Sequence, residues 1–91
     1  MLQKPPLNGA VFDIILIMDK IHIGSTYKHY KGNNYVVVGL AKHSETLEEL
    51  VVYRAIYGDG GLWVRPREMF LESIELNGVK QPRFKIIREV N

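Results

Sequence analysis

Three turn signals constrain this chain more than any other feature: Gly32-Asn33-Asn34, Gly58-Asp59-Gly60-Gly61 and Asn77-Gly78. Gly and Asn supply the positive φ that tight reversals need, and Asn-Gly is the strongest two-residue hairpin signal. The runs around them are short: Tyr27–Lys31, Tyr35–Lys42, Leu50–Tyr57, Leu62–Arg65, Leu71–Leu76 and Val79–Ile87. They are rich in β-branched and aromatic residues, which suit a pleated, half-buried surface. The expected fold class is mainly β, a small SH3-like barrel or a strongly bent antiparallel sheet of about five to six short strands.

Several local choices follow. Thr46-x-x-Glu49 has the form of a helix capping box. Yet Leu50, Val52, Arg54 and Ile56 alternate with Val51, Tyr53, Ala55 and Tyr57, so a strand is expected there. Gly39, inside a β-branched run, marks a bulge or a close backbone approach. Pro66 stops the strand before it and opens one short helical turn near residues 66–70, of the 3₁₀ kind. Pro82 confines Val79–Ile87 to a sheet edge, pairing back across Asn77-Gly78. With Asn33-Asn34 as the first turn, facing residues sum to 67, which sets His29 opposite Val38 and away from His43.

The 91 residues make one domain. Residues 26–88 are read as a single β-barrel-like unit, preceded by an N-terminal arm over 1–25 with Pro5-Pro6 and Asn8-Gly9. Ala10–Ile21 is ambiguous: its β-branched residues favour a strand, its bounding charges fit a helix, and a short helix near residues 10–21 is the preferred reading. The run Ile14–Met18 falls far short of the roughly 20 apolar residues of a membrane span. No secretory leader pattern is seen, and a cytoplasmic location is expected.

Cysteine is absent, which removes disulfides, thiolate metal sites and cysteine nucleophiles together. Twelve basic and 10 acidic residues give a net charge of +2, too small to announce nucleic-acid binding. Lys80, Arg83, Lys85 and Arg88 read as a solvated basic end, with an electrostatic footprint for phosphate or acidic partners as the alternative.

The ligand-binding candidates are His29, His43, Ser44, Glu45, Tyr53 and Arg65. His43-Ser44-Glu45-Thr46 places a base, a hydroxyl and a carboxylate side by side. Catalysis needs the base about 2.6–3.2 Å from its nucleophile, which sequence neighbours seldom achieve. Turn capping through side-chain-to-backbone bonds is the blander role of such residues. Arg65, held extended before Pro66, is a fixed fork for Glu45, Glu48 or Glu68, or for an anionic ligand. Gly58–Gly61 lacks the spacing of a phosphate loop and reads as a flexible hairpin loop. No catalytic residue, metal ligand or cofactor is assigned.

The blocks Tyr27-x-His29-Tyr30-Lys31-Gly32, His43-Ser44-Glu45-Thr46, Val52-Tyr53, Leu62-Trp63-Val64-Arg65-Pro66 and Met69-Phe70 resemble a small bacterial family, the domain of unknown function 1653. The likeness covers about 60 of the 91 residues, from Tyr27 to Phe84. It implies a compact domain and brings no activity. The function expected is a binding module, with a groove near His43–Thr46 flanked by Tyr residues and Arg65. Its ligand would be a small polar molecule, a peptide or a nucleic-acid segment. A small hydrolase or transferase using His43 and Glu45, and a structural or oligomer-forming domain, are the alternatives. The sequence names no single partner: a protein, a peptide or a small molecule is expected, a nucleic acid is the further case that the small net charge does not support, and no membrane partner is expected.

Overall fold

A computed structural model describes residues 20–90. The expected helix near residues 10–21 lies almost wholly outside them. The described chain is mainly β, with strands β1 (Thr26–His29), β2 (Asn34–Lys42), β3 (Glu49–Ala55) and β4 (Leu62–Pro66). A single helical turn follows, α1 (Arg67–Phe70), then β5 (Ser73–Leu76), β6 (Val79–Pro82) and β7 (Phe84–Arg88). Five strands form one antiparallel sheet in the order β4-β3-β2-β1-β7, and β5-β6 is a separate ribbon. Among the described residues β4 and β7 end the sheet without pairing, so the barrel is not closed.

The alternating run after Thr46 is a strand, as its period-2 pattern requires. The strand count exceeds expectation because Val79–Ile87 is two strands. Its first half pairs with β5 across Asn77-Gly78, both at positive φ (53° and 78°), with Leu76 opposite Val79. The chain then leaves at Arg83, and its second half pairs with β1. The basic end is thus built into strands, with Lys80, Lys85 and Arg88 still exposed on them. The helical turn is also of α rather than 3₁₀ type: Leu71 N–H donates to the Arg67 carbonyl four residues back, at 3.1 Å.

The first hairpin register differs from expectation by an odd number of residues, which matters because an odd slip exchanges the faces. Tyr27 faces Tyr35 and Lys28 faces Asn34. The loop begins earlier than Asn33: His29 N–H donates to the Asn33 carbonyl at 2.8 Å, and Gly32 N–H to the His29 carbonyl at 2.7 Å. Gly32 sits at φ 112°, where a side chain would be strained. A bulge does occur at Val38, since Val37 faces Tyr53 while Gly39 faces Val52.

These registers decide the inner face. Tyr27, Tyr35 and Ala55 share it, as do Val37 with Tyr53 and Trp63, Val51 with Arg65, and His29 with Phe84. Its buried part is the core: Ile21, Tyr27, Val37, Val51, Tyr53, Phe70 and Phe84. α1 closes one side by stacking Phe70 on Phe84 with centroids 4.1 Å apart. Burying each such ring contributes roughly 1.5–3 kcal/mol. Ser25 is fully buried, and its hydroxyl accepts the Val90 N–H at 2.9 Å, so its burial leaves no unpaired acceptor. No described helix is long and apolar enough to cross a membrane.

Candidate ligand-binding site

Of the six residues singled out from the sequence, His29 and the trio His43, Ser44 and Glu45 lie at opposite ends of β2, with Tyr53 and Arg65 between, level with Val37 and Leu40. His29 lies beside the start of β2, whereas His43, Ser44 and Glu45 follow its last residue. A nine-residue strand rising about 3.3 Å per residue holds them apart by about 25 Å.

The His43–Glu48 loop is exposed and holds itself together. His43 Nδ1 accepts the Glu45 N–H at 3.1 Å and the Thr46 N–H at 3.4 Å. Leu47 N–H donates to the His43 carbonyl and Glu48 N–H to the Thr46 hydroxyl. Leu47 thereby takes φ 64°. Among the described residues no contact joins His43 to the Glu45 carboxylate, and Ser44 makes none.

The other end is crowded. His29 Nδ1 accepts the Lys31 N–H at 3.1 Å, and its ring lies against Tyr30 (4.6 Å) and edge-on to Phe84 (4.9 Å). An Nδ1 that accepts leaves Nε2 carrying the hydrogen of the neutral ring, hence a donor. Burial lowers the His29 pKa from its ordinary value, and the cations Arg65, Arg83 and Lys31 push it the same way. Tyr53 is buried, and its hydroxyl accepts from Arg65 Nε at 3.3 Å. The Arg65 guanidinium lies 5.7 Å from the Phe84 centroid, and no carboxylate among the described residues pairs with it. So Tyr53 is a core ring that positions Arg65, and His29 and Arg65 meet through Phe84.

Beside them Tyr35 and Tyr57 join their hydroxyls at 2.8 Å. Burial, then the Tyr57 bond, push the Tyr35 hydroxyl up to about 12. Phe84 is edge-on to Tyr35 and Tyr53 as well. This hub was missed in the sequence, where it is one apolar letter after Pro82-Arg83. The signal that could have found it is its two-residue spacing from Ile86, which lines the same face.

A groove of about 370 Å³ opens at this end, lined by Lys28, His29, Tyr30, Gln81, Pro82 and Lys85. Lys28 and Lys85 are direct cross-strand partners. Nearby Arg83 is neutralised by Glu72 at 2.9 Å. No group of described residues could hold a metal ion.

A family model described as "Protein of unknown function (DUF1653)" matches residues 25–86. The chain belongs to the DUF1653 family. A crystal structure of a DUF1653 protein from Bordetella bronchiseptica is 34% identical and superposes with a TM-score of 0.70, covering 81% of this chain and 96% of that one. No curated protein matches. The DUF1653 match spans β1 to most of β7, so both the His29 end and the His43 loop lie within the family's own sequence.

Proposed function

We propose that this DUF1653 domain is a binding module whose site is the His29 end, and that it recognises an anionic group carried on a polar ligand. The observation that carries the reading is the directly opposed Lys28–Lys85 pair in a groove with no carboxylate in its lining. Like charges face to face across strands destabilise a sheet, and an anion between them reverses that sign. His29 Nε2 adds a neutral donor, and Tyr30 adds a ring face. The strand order around a small aromatic core supports an SH3-like kinship, in which loops and one face remain for a ligand. Arg65, on the inner face with Tyr53 and Phe84, stands outside the lining of this groove. The His43–Glu45 loop is read as structural, because its His43 ring nitrogen and Thr46 hydroxyl are spent on backbone N–H groups of the loop itself.

Titration of the full chain with phenyl phosphate, and with phenol as its uncharged counterpart, tests this. Phenyl phosphate should bind and phenol should not. Lys28→Ala with Lys85→Ala should weaken binding about tenfold or more. Added salt should weaken it too, since the groove is open to solvent. Equal binding of phenol, or an unaffected double variant, would overturn the proposal. A single-stranded oligonucleotide in a parallel titration separates a polymeric ligand from a small one, because contacting several phosphates makes the salt dependence steep.

A further inference from the structure

Among the described residues the sheet has two free edges, and they are built differently. β7 carries Lys85 and Arg88, the kind of charged edge that blocks pairing with another chain. β4 carries Leu62, Trp63 and Val64, which are 56%, 53% and 60% exposed. Its one charged side chain, Arg65, is turned inward to Tyr53 and Phe84. Among the described residues no strand lies beyond β4.

The hydrogen-bonding direction of this edge is fixed by one bond. Ala55 N–H donates to the Gly61 carbonyl at 2.9 Å, so Gly61 faces β3. Direction alternates along a strand, so Trp63 and Arg65 also face β3 while Leu62, Val64 and Pro66 face outward. Pro66, with no N–H to offer, stands on the outward side, as edge prolines do.

We infer that β4 is the interface of a symmetric dimer, in which two copies of this chain join β4 to β4 as one continuous antiparallel sheet about a two-fold axis at Val64. The sequence of the strand is self-complementary in that register. Val64 faces the partner's Val64 and exchanges both backbone bonds with it. Leu62 N–H meets the carbonyl of the partner's Pro66, so the missing proline N–H costs only one bond on each side. Trp63 faces the partner's Arg65 on the inner face, setting an indole beside a guanidinium that already lies over Phe84. Leu62 lies against the partner's Pro66 on the outer face. No like charges are opposed anywhere along the seam, in contrast to Lys28 and Lys85 at the other edge. An isologous contact of this kind closes after two copies and leaves both basic edges free.

Sedimentation equilibrium of the full chain over a concentration series is the test. The weight-average mass should rise from one chain mass and level at two. Val64→Lys places two ammonium groups on the axis, and Val64→Pro removes only an outward N–H. Both should stay at one chain mass, with circular dichroism and thermal midpoint at low concentration showing an intact fold. A single-chain mass for the wild type at every concentration would overturn the inference. So would a mass that climbs past two without levelling, or a dimer that persists in Val64→Lys.

Discussion

His29 and His43 use the same local device in two different settings. Each accepts, at Nδ1, the N–H of the residue two positions on, at 3.1 Å in both cases. Each thereby organises a polar loop at one end of β2. Around His43 there is nothing more: the loop is exposed, and its remaining hydrogen bonds, from the Thr46 hydroxyl and the backbone, stay within it. Around His29 the sheet assembles Tyr30, Phe84, Lys28 and Lys85, with Arg65 also against the Phe84 ring. The difference comes entirely from long-range pairing. His29 is paired to Phe84, a residue 55 positions further along, whereas His43 follows the last paired residue of β2. A local motif makes a turn; neighbours brought from elsewhere make a site.

The comparison can be broken most forcefully at Phe84. Phe84→Ala should cost about 3–5 kcal/mol in urea unfolding, because it removes a ring shared by the core and the site. It should also release the His29 ring, while the His43 ring signals in an NMR spectrum stay where they are. Trp63→Ala, by contrast, should change stability by no more than about 0.5 kcal/mol in dilute solution, since Trp63 stands largely outside the core.

A smaller effect separates the two histidines. His43→Ala should cost about 1 kcal/mol, the worth of a turn-capping acceptor, and leave phenyl phosphate affinity unchanged. His29→Ala should lower that affinity. A loss of binding on His43→Ala at unchanged stability would return the site to the His43 loop.

The smallest effect concerns pH. The His29 pKa is held below its unfolded value of about 6.5. The unfolded chain therefore binds this proton more readily, and stability rises with pH across the interval between the two values. Put the other way, a stabilising contribution present above about pH 6.5 is lost as the pH falls toward the folded value. His29→Gln should flatten that part of a stability–pH curve. An unchanged slope would show that neither the burial of His29 nor the cations around it act on its proton.

Much of the fold was legible from local signals. The Asn77-Gly78 hairpin, the bulge beside Gly39, the strand through Tyr53 and the turn after Pro66 each follow from one or two residues whose backbone preferences are strong. What escaped depends on pairing between distant segments. The hairpin at Gly32 slipped because His29 begins the loop, and only its bond to the Asn33 carbonyl shows that. The break at Arg83 was hidden because β7 leaves its sequence neighbour β6 to pair with β1. The same crossing conceals Phe84, the Lys28–Lys85 pair and the groove. His43, Ser44 and Glu45 stood out as chemistry because they are adjacent in sequence, yet only the His43 ring is engaged, and it caps the backbone N–H groups of the same turn.

The most direct measurement is an NMR pH titration of the His29 and His43 rings in the full chain, without and with inorganic phosphate. Bound phosphate favours the protonated ring, so the His29 midpoint should start below about 6.5 and rise when phosphate is added, while the His43 ring does not respond. A phosphate response at His43 alone, or none at His29, would contradict the account.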